Sequence, residues 1–363
     1  MALRRFRIQG FRAFRDLSLD NLARLNLIVG KNSSGKTTVL EALRIFLEDD
    51  SLTAIGQILS SREEMDLRRK RRNEIGSIVD SLLVESLFYG RPRLESRPEF
   101  SFHSFEPHTP LSVQLTWLRR VVDEADSGVR YVAAGAEDDP DLDPDVVPGL
   151  QLLNGGRSLI PLDRIDRWRR RITRPLPRSR TVFLSSGGMS AGELGTAWDT
   201  IALTEDEDRV IDALRLIVPK LEKLVMVQSV SPRSDRIMMA KLKNFPEPVP
   251  FKSLGDGATH LLSISLSMIR SRGGHLLIDE IENGIHYSVQ SAMWSLIWEL
   301  AQAWDVQVFS TTHSWDCVEG FQAAVGEADA ALFRLESTDD SVRVTSFRGE
   351  ELAIATAEGI EVR

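Results

Sequence analysis

Leu25-Asn-Leu-Ile-Val-Gly30-Lys-Asn-Ser-Ser-Gly35-Lys-Thr-Thr-Val-Leu40 is the stretch on which the reading of this chain turns. It begins with a run of the kind buried inside a parallel sheet. From Thr37 to Glu48, the residues Val39, Leu40, Leu43, Phe46 and Leu47 recur at helical spacing with no Gly or Pro between them. Between strand and helix, Gly30 to Thr37 fits G-x-x-x-x-G-K-[ST], and the strand–loop–helix context makes the match specific. The pattern predicts that Gly30, Lys31, Asn32, Ser33, Ser34, Gly35, Lys36, Thr37 and Thr38 surround the phosphates of a nucleotide. Glycines let backbone N–H groups turn inward, and the helix N-terminus favours an anion. Lys36 would then reach the β- and γ-phosphates, and the Thr37 hydroxyl would hold Mg²⁺.

Upstream, Phe6, Ile8, Phe11 and Phe14, then Leu17, Leu19 and Leu22, read as two short strands. Downstream, residues 51–180 change character. Arg62 to Arg72 is dense in charge, Glu137 to Asp145 is an acidic Asp/Pro tract read as a solvated loop, and Arg164 to Arg180 is rich in arginine around Trp168. Within this stretch Leu111–Trp117 and Val129–Val132 alternate like the strands of a hairpin. From Thr181 the periodic signals return. Thr181–Leu184, Val225–Val230, Arg236–Leu242, His275–Ile278 and Val306–Ser310 read as strands, and Glu205–Leu216, Thr259–Ile269 and Val289–Ala301 as helices. Strands alternating with helices imply a largely parallel sheet covered on both faces. Three regions follow: 1–50 with the phosphate loop, an inserted subdomain at 51–180, and 181–363.

Gly274-His-Leu-Leu-Ile-Asp279-Glu280 is an apolar strand ending in two adjacent carboxylates. One can face Mg²⁺ while its neighbour addresses the attacking water, so Asp279 is the candidate metal residue and Glu280 the residue that orients or deprotonates water. Two acids capping the next helix are the alternative for this motif taken alone. Ser253-Leu-Gly255-Asp-Gly257 precedes a helix and offers a hydroxyl and free N–H groups to an anion. His313, in Ser310-Thr-Thr-His-Ser314, stands at the end of the last core strand, where an imidazole can reach a γ-phosphate.

In this order the motifs resemble an ABC-type ATPase head. More narrowly, Gly-Phe-Arg-Ala-Phe (10–14), Val-Gly-Lys-Asn-Ser-Ser-Gly-Lys-Thr-Thr (29–38), Ser-Leu-Gly-Asp-Gly and Asp-Glu-Ile-Glu-Asn-Gly-Ile-His (279–286) resemble the RecF-like and OLD (overcoming lysogenization defect) group of AAA-family ATPases. The resemblance implies an α/β P-loop fold with an ABC-like head, its mixed and largely parallel sheet flanked by helices, and an inserted α/β lid or arm. It also implies hydrolysis of ATP to ADP and phosphate with Mg²⁺. Such heads dimerise head to tail, or form higher oligomers, with ATP sandwiched between subunits. Ser253, Gly255 and Gly257 would then act in trans, Asn283 to His286 would form a loop crossing the interface, and His313 would be the switch histidine. The signature differs from the transporter form Leu-Ser-Gly-Gly-Gln, and Asp256 adds negative charge near the γ-phosphate. Gln57 and Gln114 are the two candidates for the glutamine such heads place near Mg²⁺. Arg12 is either a phosphate contact or a solvated strand arginine.

The chain has 363 residues and a net charge of −8, which excludes a generically basic nucleic-acid binder. The single cysteine, Cys317, excludes an intramolecular disulfide and a CxxC zinc hook. No apolar run is long enough for a membrane span and no signal peptide is evident, so the expected setting is the cytoplasm, away from membranes. The interval from Thr37 to Ser253 carries no sustained heptads and is too short for the long arms of SMC-type ATPases. The stretch after His313 is too short for the Toprim nuclease of OLD proteins, so nuclease action would need a separate chain.

The Arg164–Arg180 cluster is a candidate DNA surface, with Trp168 stacking on a base. A solvated helix face or a docking site for an acidic partner fits equally well. Arg68-Arg-Lys-Arg-Arg72, preceded by Glu63, Glu64 and Asp66, reads as a charged exposed helix. The expected role is an ATP-driven switch in DNA surveillance, repair or anti-phage defence. The alternative is a nucleotide-sensing scaffold with slow turnover that holds a separate nuclease or toxin effector, and a transporter energy subunit is a third reading. Lys36→Ala is expected to abolish Mg²⁺-dependent ATP binding in a calorimetric titration, because the charge facing the phosphates is gone; unchanged affinity would refute the phosphate-loop assignment.

Overall fold

The computed structural model describes residues 2–64, 84–105, 109–122, 128–140, 142–162, 180–228, 236–326, 328–338 and 341–357. Alternating apolar residues make a hairpin of β1 (Arg5–Phe11) and β2 (Phe14–Asp20), with Phe6, Ile8, Leu17 and Leu19 turned inward. After it come β3 (Leu25–Gly30), buried along its whole length, α1 (Lys36–Leu47) and α2 (Ser51–Ser61). The Asp50 carboxylate starts α2 by accepting the Thr53 N–H at 3.2 Å.

The segment expected as an inserted subdomain joins the N-terminal hairpin over its described strands. These are β4 (Glu99–Ser104), β5 (Leu111–Val122), β6 (Val129–Ala133), β7 (Val146–Leu153) and β8 (Arg157–Pro161). They form one antiparallel sheet with the hairpin in the order β2-β1-β4-β5-β7-β8, with β6 beside the later half of β5. Phenylalanines explain the join. Phe11 of β1 packs edge-on against Phe100 and Phe102 of β4 at 5.1 and 5.3 Å, and Phe6 lies 5.3 Å from Phe46 of α1. Such pairs add about 0.5–1.5 kcal/mol each beyond area burial.

The second half supplies β9 (Thr181–Leu184), α3 (Ala191–Asp199), α4 (Glu205–Leu214), β10 (Leu221–Gln228), β11 (Arg236–Leu242) and β12 (Val249–Pro250). It continues with α5 (Asp256–Arg270), β13 (His275–Ile278), α6 (Tyr287–Ala303), β14 (Gln307–Thr312), α7 (Trp315–Val325), β15 (Ala330–Ser337), β16 (Val342–Phe347) and α8 (Gly349–Ala357). A six-stranded sheet has the order β16-β15-β3-β14-β13-β9, parallel except for β16. Both faces are covered. Leu25, Leu27 and Val29 of β3 pack toward α5, α6 and α7, whereas Ile28 packs toward α1 and the phenylalanine layer. Asn26 sits inside this otherwise apolar strand because its amide is satisfied on both sides, donating to Ala23 and Val308 and accepting from the Ala23 N–H.

Several expected element limits moved: the strand expected from Val225 begins at Leu221, the one expected to end at Trp117 runs to Val122, and two helices start early for a local reason. The helix expected from Thr259 begins at Asp256, because Gly255, at φ 107°, makes the turn into it. The helix expected from Val289 begins at Tyr287, capped by His286. The acidic tract is a run of turns, and Asp138 and Asp143 accept from Arg119. Arg68–Arg72 and the arginine cluster from Arg164 to Arg178, with Trp168, lie outside the described residues. No helix among the described residues is long and apolar enough to cross a membrane. Burial pushes the Cys317 thiol up to about 12.

Arg12 is not a solvated strand arginine. Its side chain, 8% exposed, forms ion pairs with Glu41 of α1 at 2.9 Å and with Glu64 at 2.8 Å. This clamps the β1–β2 turn to α1 and to the turn after α2. Burial raises the Glu41 pKa, against the pull of Arg12 and Arg62. Arg12→Ala would leave the buried Glu41 with Arg62 as its remaining cation and take the partner from Glu64, and a loss of about 3–5 kcal/mol in denaturant unfolding is expected. An unchanged midpoint would show that the pair contributes nothing.

Candidate active site

The parallel strands β3, β13 and β14 end together, and the loops after them bring the chemistry to one place, as ligand sites of α/β sheets require. Gly30, at φ 150°, ends β3, and a Cβ there would lie 2.6 Å from the Leu335 carbonyl oxygen. Lys31, Asn32 and Ser33 are exposed, while Ser34 and Thr38 are buried. The buried Ser34 hydroxyl has no hydrogen-bond partner among the described residues. Gly35, at φ 98°, starts α1 with no side chain capping the helix and no acidic residue in its first turn. The N–H groups of that turn are therefore left for an anion. A Cβ on Gly35 would also lie 2.6 Å from the Phe14 ring, so the β1–β2 hairpin presses directly on the loop.

Lys36 Nζ donates to the carbonyls of Gly30 at 2.7 Å and Lys31 at 3.1 Å. Burial lowers its pKa below the usual lysine value, against the attraction of Asp279, Glu280 and Glu282. Thr37 Oγ1 donates to the Asp279 carboxylate, 3.1 and 3.2 Å from its two oxygens. Thr311, which the sequence reading did not single out, completes this contact. Its hydroxyl donates to Asp279 Oδ1 at 2.6 Å and accepts the Glu280 N–H at 2.9 Å. A hydroxyl and a carboxylate side by side suit Mg²⁺, which takes few protein oxygens and fills its remaining positions with water and phosphate. No group of three or more His, Cys, Asp or Glu among the described residues could hold a metal unaided.

Asp279 and Glu280 diverge because Glu280 adopts φ 51°, a left-handed conformation uncommon outside glycine. Asp279 faces Thr37, and the Glu280 carboxylate lies 3.9 Å from His313 Nδ1. His313 is half exposed and also meets Glu282, at 3.2 Å.

Around the start of α5, Ser253 and Gly255 are exposed and Gly257 is buried. The exposed Ser253 hydroxyl donates to the Pro250 carbonyl, and Gly255 has open space where a Cβ would point. Gly257 sits inside the helix, where a Cβ would be 2.3 Å from the Gly284 oxygen, so the absent side chain lets the 283–286 loop lie against the helix. Asn283 donates to the Ser186 carbonyl at 2.8 Å, and Tyr287 beyond it is exposed. Gln57 is held by the Arg44 guanidinium, and Gln114 lies in the antiparallel sheet opposite Glu99 and Gln151.

Comparison with known proteins agrees with this geometry. Residues 25–316 match the family described as "AAA domain, putative AbiEii toxin, Type IV TA system". An ATP/GTP phosphatase of Helicobacter pylori is 22% identical over 95% of both chains. The DNA replication and repair protein RecF of Shewanella frigidimarina is 34% identical, over 24% of this chain and 29% of that one. Among solved structures, the Smc head bound to the C-winged helix domain of ScpA superposes with a TM-score of 0.52 at 12% identity, covering 98% of this chain and 100% of that one. That likeness shows the fold, an ABC-type ATPase head. The chain belongs to the AAA-domain family it matches, and it is a P-loop ATPase.

Thr311→Val would remove one donor to Asp279 and leave the Glu280 N–H unpaired. The Mg²⁺ concentration for half-maximal turnover is expected to rise about tenfold or more. An unchanged Mg²⁺ titration would contradict a role for Thr311 at the metal position.

Proposed function

We propose that this chain is a Mg²⁺-dependent ATPase whose two copies close head to tail around ATP, and that this closure is a switch acting on DNA or on an effector protein. The observation that carries the reading is the convergence of Lys36, Thr37, Asp279, Thr311, Glu280 and His313 at the ends of three neighbouring strands. Lys36, released from the loop carbonyls, pairs with the β- and γ-phosphates, and the uncapped turn of α1 donates to them. Thr37 and Asp279 are the residues that would hold Mg²⁺, which would neutralise phosphate charge there when bound. Glu280 accepts a proton from the attacking water, His313 hydrogen-bonds the γ-phosphate, and ADP and phosphate leave.

Closure of two heads is supported by where the signature lies. Ser253 and Gly255 are exposed at an open helix start, and Lys31, Asn32 and Ser33 of the phosphate loop are exposed too. A second copy can bring its own Ser253 and Gly255 to that loop, with the Asn283–His286 loop at the seam. ATP binding that favours the closed pair, and hydrolysis that releases it, make a two-state device. Membership of the OLD group and a role in DNA repair or anti-phage defence belong to this proposal. Support comes from the quoted motifs and from partial similarity to a RecF protein.

A second reading, a slow scaffold that holds a toxin or nuclease partner, is favoured by the toxin–antitoxin wording of the matched family. Glu280→Gln is expected to bind ATP, lose turnover and double in mass in Mg²⁺-ATP by light scattering, with wild-type turnover rising when DNA is added. Constant mass and indifference to DNA would favour the scaffold. Normal turnover in Glu280→Gln would remove that residue from water activation.

A further inference from the structure

The loop after β13 carries a third carboxylate that the ATPase reading leaves without a task. Glu282 is buried, 8% exposed, and directed at the end of β14 rather than at solvent. Its Oε1 accepts the backbone N–H of His313 at 3.0 Å and lies 3.2 Å from the same residue's Nδ1. Glu280 Oε1 is 3.9 Å from Nδ1, beyond hydrogen-bond reach, and its side chain is 42% exposed.

We propose that Glu282 is the positioning residue for His313: it accepts the imidazole Nδ1–H and so keeps the ring away from Glu280, leaving Nε2 to take up a second proton and donate to the γ-phosphate. The inference rests on the reading of His313 as the residue that meets the γ-phosphate.

A carboxylate offers only acceptors, so the ring nitrogen facing it must carry the hydrogen. Which nitrogen of an imidazole works on a substrate is set by the hydrogen bond the other one makes. With Nδ1 tied to Glu282 and the side chain 54% exposed, Nε2 is the nitrogen left for a ligand. The two neighbouring carboxylates thereby divide the work by environment. The buried one holds the histidine, and the half-exposed one stays available to water. Without Glu282, the Nδ1–H would have Glu280 as its nearest carboxylate, and that contact would occupy the oxygen expected to take the proton from water. The two bonds to one oxygen also fix the turn from β14 into α7, so ring and backbone are set together.

The test combines kinetics with a spectroscopic reading. Glu282→Ala is expected to lower kcat about tenfold to a hundredfold with KM for ATP unchanged. Glu282→Gln, whose amide oxygen still accepts both N–H groups, is expected to recover most of the rate. In a His313→Ala background, Glu282→Ala is expected to do no further harm, since it acts through the ring. Wild-type kcat in Glu282→Ala, or the same fold loss with and without His313, would overturn the proposal. Imidazole ¹⁵N shifts of the wild-type protein at alkaline pH, assigned by their loss in His313→Ala, give a reading that no variant's folding can obscure. The Nδ1–H form is expected, and the Nε2–H form would overturn the proposal. If His313→Ala turns over like wild type while the wild-type ring is in the Nδ1–H form, the role of His313 in the ATPase reading has failed rather than its tether to Glu282.

Discussion

The carboxylate of Asp279 is the point at which the head is joined. It accepts from Thr37 at the start of α1 and from Thr311 near the end of β14, while its own backbone N–H is bonded to Leu184 at the end of β9. Four elements that are remote in sequence are thereby held at one place. None of these bonds is strong in isolation, since a hydrogen bond to a charged group contributes about 1.5–3 kcal/mol. Their value is geometric: a shift of β13 along β14 would separate the hydroxyl of Thr37 from the Asp279 carboxylate. The fully buried strands prevent such a shift, because a slip of one residue would turn Leu277 and Phe309 out of one core layer and into the other.

The antiparallel sheet bears on the same point from the other side. Phe14 touches the position where a Gly35 side chain would be, and Arg12 ties the hairpin to α1 through Glu41. The layer built from residues 5–20 and 99–161 is thus continuous with the phosphate loop. On the opposite side, Gly257 against Gly284 locks the signature helix to the loop that follows the acidic strand. The phosphate loop thus packs on the hairpin, and the loop after the acidic strand packs on the helix that starts at Asp256.

Much of this was legible in the sequence because it is local. Gly30–Thr38 and His275–Glu280 are short motifs whose strand and helix neighbours are adjacent in the chain, so their elements could be read nearly to the residue. What was not legible depends on distant pairing. Nothing in Phe6 or Phe11 announces that Phe100 and Phe102 will lie beside them, so residues 51–180 looked like a separate unit. Thr311 carries no signal of its own until β14 is known to lie between β3 and β13. Glu282 is one acid among several in Asp279-Glu-Ile-Glu-Asn283, and only burial distinguishes it from Glu280. Arg12 was placed by its motif near the phosphates or in solvent, whereas Glu41 and Glu64, far away in the chain, supply its partners.

The central claim is that a complete ATP site draws the phosphate loop from one chain and the signature from another. Subunit complementation tests it directly. Lys36→Ala and Ser253→Arg should each be inactive alone, and mixing the two purified proteins should restore part of the wild-type turnover, because the mixed pair contains one intact composite site. If Ser253→Arg hydrolyses ATP normally by itself, or if the mixture stays silent while both variants still associate, the site is contained in a single chain and the account is wrong.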